Sequence, residues 1–334
     1  MNKKQPNVVV IGGGTGSFTL LSSLKSHVDD LTALVNMSDD GGSTGILRDE
    51  LGVLPPGDIR QCLVALSDSP KLRELFTYRF EEGSLKGHSF GNLFLSGVEK
   101  MTDNFEEAVS IASDVLRIHG KVVPMTLTNA HLVLRDPNGG EVRGEYKIGN
   151  MDFSGYTRPD ISLDPKAVIT DSARLAIGAA DIIVIAPGNL YGSLAPALVV
   201  DGVKQALQST NATIVYVCNL VTKPNQTDGF LVHDYVDEIE RFIGAQVVDY
   251  VLYNTETPSK DLIEKYTHDQ EKIIQYDLDI MQQAHYEAIG LPLVAQEAIK
   301  HSNHDAIATS RSLIRHDAEA VSRQLMELDK HHVS

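Results

Sequence analysis

Tryptophan is missing from the 334 residues, and only two cysteines, Cys62 and Cys218, occur. Two thiols this far apart supply neither a disulfide framework nor a zinc site. Both sit inside apolar runs, which reads as buried thiols in a reducing compartment. No apolar run approaches the ~20 residues that a membrane helix requires; the longest, around 182–187, has strand length. No signal-peptide pattern opens the chain. Basic residues are in deficit: 29 Lys and Arg stand against 45 Asp and Glu, a formal net charge of −16. No basic stripe gathers the cations, so the footprint of a nucleic-acid-binding face is lacking, and anionic membranes are disfavoured. The expectation is a cytoplasmic protein with no nucleic acid partner and no membrane insertion. An anionic small ligand stays allowed, because backbone N–H groups at helix N-termini bind phosphate whatever the net charge. A G-x-S-x-G elbow, a Walker A loop and H-E-x-x-H are all absent, and no nucleophile stands beside a general base in the sequence. His301, His304, His331 and His332 fall in polar segments and read as solvated.

What is present fits an ordinary globular core, with 42% apolar and 22% charged residues. The run Val8-Val9-Val10-Ile11 reads as a fully buried strand that ends on glycine, 17–24 as a helix, and 31–37 as a second buried strand. Strand, glycine loop, helix, strand opens a doubly wound sheet. Helical spacing follows over 59–66, 71–80, 90–101 and 105–118. The period then changes to two over 121–127, 131–135 and 141–148, with Pro137-Asn138-Gly139-Gly140 as a hairpin turn between the last two. These three strands are expected to form a small side sheet. The α/β rhythm resumes with helices over 167–179, 194–207 and 231–243 and strands over 181–185, 213–217 and 248–253. The expected fold is therefore α/β, Rossmann-like, a doubly wound mostly parallel sheet with helices on both faces and a β-rich insert about 120–150. Residues 1–258 form the nucleotide-binding domain. Residues 259–334 form a mostly helical extension packed on it, with helices over 260–266 and 311–328 and one short strand.

The loops after the strands carry the chemistry. Gly12, Gly13, Gly14, Thr15 and Gly16 let the backbone approach an anion at a helix N-terminus. The dinucleotide fingerprint fails, because Ser17 holds the third glycine position and Asn36 stands where an acidic residue is expected. Ser38-Asp39-Asp40-Gly41-Gly42-Ser43-Thr44-Gly45 follows the second strand. Its adjacent carboxylates, Asp39 and Asp40, suit Mg²⁺ or sugar hydroxyls, and Gly41, Gly42 and Ser43 suit phosphate contact. Asp58 is either an N-cap for the helix from Ile59 or a ligand group. Arg60, set against the helix dipole, implies an anionic partner. His88 and Asn92 open another helix. Gly188, Asn189, Tyr191 and Ser193 follow a buried strand, as do Asn219 and Thr222. These loops are expected to converge on one crevice.

Taken together and in order, these loops, with Leu54-Pro55-Pro56-Gly57-Asp58-Ile59-Arg60 and Gly87-His88-Ser89-Phe90-Gly91-Asn92, resemble the YvcK-like gluconeogenesis factors of the CofD-like superfamily, from about Val8 to Tyr253. CofD is the 2-phospho-L-lactate transferase of deazaflavin cofactor biosynthesis. The resemblance implies a Rossmann-like core and a regulator that binds a UDP-sugar such as UDP-N-acetylglucosamine, governs a protein partner, and is needed for cell shape and wall synthesis on gluconeogenic carbon. It also implies an alternative, a Mg²⁺-dependent transferase moving a phospholactyl-like group from a nucleotide-activated donor. With 6% aromatics, no cluster suits a deazaflavin ring. NAD could bind through its pyrophosphate, without a redox role. A homo-oligomer is left open. The chain departs from the family pattern at Asn189 and Gly192, and at Gln226, where the family has a glutamate.

Overall fold

The computed structural model describes residues 5–135, 140–153, 158–258, 270–295 and 315–331. Its strands are β1 (Asn7–Gly12), β2 (Asp30–Val35), β3 (Lys121–Pro124), β4 (His131–Arg135), β5 (Glu141–Arg143), β6 (Asp160–Asp164), β7 (Ile182–Ile185), β8 (Thr213–Val217), β9 (Tyr250–Asn254) and β10 (Glu287–Leu291). Seven of them form one sheet in the order β10-β9-β8-β7-β1-β2-β3, every pairing parallel. The fold class is the one expected.

The strands alternate between two cores. Val8 and Val10 of β1, Ile182 and Val184 of β7, and Val215 and Val217 of β8 enter one cluster with Leu20, Leu63 and Leu95. Val9, Ile11, Ile183, Ile185, Ile214 and Tyr216 enter the other, with Ile177, Leu194 and Val236. A sheet buried on both faces needs apolar residues at both parities, which is why these runs are continuously apolar. The first cluster is covered by α1 (Gly14–Leu24), α3 (Gly57–Leu66), α5 (Phe90–Glu99) and α6 (Phe105–Leu116), the second by α8 (Asp171–Ala179), α10 (Val203–Ser209) and α11 (Val232–Ile243).

Strand order reverses between β1 and β7. In open parallel sheets the crevice outside the carboxyl ends of the strands at such a point is where ligands bind.

Several expectations are corrected. The run 121–127 yields β3, which pairs with β2 at the edge of the main sheet. The side sheet is β5-β4-β6, and its third strand, β6, was not expected. The run 141–148 is a strand only to Arg143; Glu145–Gly149 is helix α7. Gly144 turns the chain at φ +109°, and the Asp40 carboxylate accepts the N–H groups of Glu145 and Tyr146 at 3.1 and 2.8 Å. A distant carboxylate thus overrides the local alternation. The helix expected over 167–179 starts at Asp171, behind a cap in which Ala173 N–H donates to Thr170 Oγ. The one expected over 194–207 is a π-turn at Leu190–Leu194, then α9 (Ala195–Leu198) and α10, interrupted at Gly202. In the tail, the short strand is β10, joined to β9. A helix, α13 (Ala318–His331), packs on α1, where the Ser23 and Ser322 hydroxyls meet at 2.8 Å. The helix expected over 260–266, most of the Pro137–Gly140 turn, and His301 and His304 lie outside the described residues.

Candidate functional site

Two cavities meet at the carboxyl edge of the sheet, and Ser193 lines both. The first, about 350 Å³, sits over the switch point. Its floor is the glycine loop, Gly13, Gly14, Thr15 and Gly16, and its walls are Gly188 and Asn189 after β7 and Asn219 and Thr222 after β8. The glycine loop and the β7 loop touch: a Cβ on Gly16 would lie 1.8 Å from the Pro187 carbonyl oxygen, so only glycine permits this approach. Asn219 ties the β7 loop in place, its amide donating to Gly188 O at 2.7 Å and its Oδ1 accepting from Gly188 N at 3.2 Å. The N-terminus of α1 has a glycine, Gly13, as its N-cap and no acidic residue in its first turn. Its N–H groups and dipole therefore favour an anion in the cavity. Lys223 and Arg315 add positive charge.

The second cavity, about 590 Å³, is lined by Asp39, Gly41, Gly42, Ser43, Asp58, Arg60 and Asn92. The N-terminus of α2 (Gly42–Leu51) opens here, again with a glycine N-cap and without an acidic first turn. Arg60, Arg79 and Lys86 supply cations. Arg60 is buried, and its Nε donates to Asn92 Oδ1 at 2.8 Å. That fixes the Asn92 amide, whose Nδ2 donates to Ser43 Oγ at 3.3 Å. Ser43 Oγ also meets His88 Nδ1, 2.9 Å away. A hydroxyl beside an imidazole is thus assembled from residues 45 positions apart, which no local motif announces.

Carboxyl groups crowd the junction of the cavities. Asp58 is not the N-cap of α3, which Pro56 occupies. Its carboxyl instead reaches the glycine loop and accepts the Gly14 N–H; a Cβ on Gly13 would strike it at 2.2 Å. Burial, then the neighbouring Asp39 charge, pushes Asp58 up to about 7. Burial and the Asp39, Asp58 and Asp40 charges push Glu145 up to about 9. Asp39 is raised by burial too, against the N–H of Gly41 and the Thr44 hydroxyl that it accepts.

Of the expected metal pair, Asp39 lines the second cavity and Asp40 does not. Both Asp40 oxygens are taken up by the N-terminus of α7. Among the described residues no three His, Cys, Asp or Glu side chains are grouped to hold a metal. Three further expected residues lie off the cavity walls. Tyr191 is buried in the core between Phe153 and Phe242, with its phenol on Glu238. His88 stands behind Ser43, and Gly12 ends β1 beneath the loop. Glu145, Tyr146, Arg79, Lys86, Lys223, Arg315 and His316 line the cavities without having been singled out. Glu145 and Tyr146 were read as strand residues. Arg315 and His316 come from the far end of the chain, His316 donating to Cys218 O at 2.9 Å. Among the described residues no helix is long and apolar enough to cross a membrane.

The model of the family described as 2-phospho-L-lactate transferase CofD matches residues 8–294. A putative gluconeogenesis factor of Thermotoga maritima is 43% identical over 278 residues, 82% of this chain and 87% of its own. The gluconeogenesis factor of Bacillus subtilis is 35% identical over 305 residues, 90% and 93% of the two chains. A crystal structure of a UPF0052 family member from Bacillus halodurans superposes with a TM-score of 0.88 at 35% identity, covering 97% of this chain and all of that one.

Proposed function

This chain belongs to the CofD family, and on that premise we propose that it is a nucleotide-sugar-binding regulator, taking a UDP-sugar such as UDP-N-acetylglucosamine. The observation that carries this reading is the double cleft, two cavities joined at Ser193, each opening on a helix N-terminus whose own N-cap is a glycine. Such a shape suits a ligand with two organic ends and a diphosphate between them. The nucleoside would occupy the smaller cavity and the sugar the larger, where Asp39 and Glu145 face its hydroxyls, with Asp58 beside the diphosphate at the glycine loop. Relatives named gluconeogenesis factors support a role in carbon metabolism; on this reading the outcome is cell shape and wall synthesis on gluconeogenic carbon, and the target is a protein partner. Cytoplasmic placement fits that role.

Isothermal calorimetry tests the reading. UDP-N-acetylglucosamine is expected to release heat and to raise the melting temperature, by the equivalent of about 2.7 kcal/mol at a hundredfold excess over Kd. Gly16→Ala is expected to abolish both. Heat with NAD or GDP but none with any UDP-sugar would overturn it.

A transferase is the second reading, and the hydroxyl of Ser43 on His88 favours it. Mass spectrometry after incubation with a nucleotide-activated phospholactyl donor and a deazaflavin acceptor separates the two: a transferred product identifies the enzyme.

A further inference from the structure

Helix α7 is a five-residue element of the insert, too short to persist on its own backbone hydrogen bonds. It is held from both ends by residues of the main domain. At its N-terminus Asp40, from the loop after β2, accepts the N–H groups of Glu145 and Tyr146. At its C-terminus the Gln226 amide, from the loop after β8, donates to Ile148 O at 2.9 Å and to Met151 O at 3.0 Å. Asn189, after β7, donates to Gly149 O at 3.4 Å. Gln226 is buried, 6% exposed, and its Oε1 is buried without a hydrogen-bond partner among the described residues. Two carbonyls facing one nitrogen fix the orientation of the amide, because an oxygen there would meet two acceptors.

We propose that Gln226 is a positioning residue of the ligand site, clamping α7 between the β2 and β8 loops so that Glu145 stands over the cleft opposite Asp39 and Asp58. The clamp rests on the cleft assigned above but is tested apart from any ligand. It also explains how the two cavities act together. A shift of the β8 loop, which lines the first cavity through Asn219, Thr222 and Lys223, moves α7, and α7 supplies Glu145 and Tyr146 to the second. The ionisable groups around the clamp are Lys223 and Asp228 on Gln226's own loop, Glu145, Tyr146 and Lys147 on α7, Asp152 just after it, Asp40 at its N-terminus, Tyr191 on the π-turn and Tyr235 on α11. Asp228 accepts from Asn225 N, and Tyr235 donates to Thr227 Oγ1.

The lack of tryptophan provides the readout. Tyr146 is exposed, so Tyr146→Trp places the chain's one indole on α7. In that background Gln226→Ala is expected to shift the emission and to expose the Ile148 to Met151 amides to hydrogen exchange at every pH. Gln226→Glu discriminates more finely. A buried carboxyl facing two carbonyls is raised well above the usual carboxylate range. When protonated it donates to one of them; when ionised it repels both. Its contribution is present at low pH and lost as pH rises. Gln226→Glu should therefore match the parent near pH 5 and Gln226→Ala near pH 8, each compared with the parent at the same pH after correction for intrinsic exchange. Affinity for UDP-N-acetylglucosamine, measured with Tyr146 intact because it lines the second cavity, should fall at least tenfold wherever the clamp is open. Unchanged emission and exchange in Gln226→Ala would overturn the proposal. So would a Gln226→Glu offset that does not vary with pH. Emission and exchange that respond while no UDP-sugar binds even the parent would leave the clamp standing and refute the ligand reading alone.

Discussion

At the scale of single residues, the site depends on carboxyl groups kept off their ordinary titration. Asp58 is the clearest. It lies against the glycine loop where a phosphate would sit, with Asp39 beside it. Its folded-state pKa, about 7, stands above the usual carboxylate range, so the folded state holds the proton more tightly than the unfolded chain does. The stability from this group is fully present below about pH 4 and is lost as pH rises through about 7. Melting temperature should fall from pH 5 to pH 8, and Asp58→Asn should flatten that slope. The variant gains on the order of 1–2 kcal/mol relative to the parent at pH 8, less than the full shift implies because the cleft admits water. A diphosphate ligand sharpens the effect, because an ionised Asp58 repels it. UDP-sugar affinity should weaken as pH rises through 7 in the parent and much less in Asp58→Asn. An affinity that strengthens with pH would contradict the placement of Asp58 beside the phosphate. The residue types of the glycine loops were legible in the sequence because close backbone approach demands glycine. The roles of Asp40, Asp58 and Tyr191 were not: their partners lie at Glu145, Gly14 and Glu238, and the chain's own spacing carries no mark of those contacts.

Among the elements, the buried apolar strands formed as the sequence implied, whereas the long run 194–207 broke into shorter pieces and those at the margins changed type or partner. The apolar strands β1, β7 and β8 are buried on both faces, so their composition alone identifies them. The run 141–148 alternates like a strand, yet half of it is helix, because Asp40 and Gly144 outweigh a weak local preference. Helix α13 shows the same dependence on tertiary partners. Its apolar side, Val321, Leu325 and Leu328, is fully buried in the core that α1 also faces, and Glu319 meets His27 and Ser23 beside it. Leu325→Ala should cost about 2–4 kcal/mol, the usual range for a buried leucine, read as a lower urea midpoint with unchanged slope. A loss under about 0.5 kcal/mol would mean that α13 does not dock on α1 in solution.

For the whole molecule, a net charge of −16 is compatible with the proposed anionic ligand because cations meet the cleft's carboxyls, Asp39, Asp58, Glu145 and Glu271, at its walls. Arg60, Arg79, Lys86, Lys223 and Arg315 all line the two cavities. The remaining surface repels itself. Thermal stability should therefore rise with sodium chloride between about 10 mM and 300 mM, where the screening length falls from about 30 Å to under 10 Å. UDP-sugar affinity should fall over the same range, as the cleft's field is screened. Stability that falls with salt would show that paired surface charges outweigh the excess of acid. The sequence by itself determined the doubly wound class and the carboxyl-edge crevice, because burial on both faces and strand-end glycines are local demands that each residue must meet where it stands. Only the tertiary structure decided that β3 and β10 complete the main sheet, that α7 closes over the cleft, and that Ser43 meets His88. Those outcomes rest on contacts between residues far apart in the chain, and nothing in the spacing of either partner records the other.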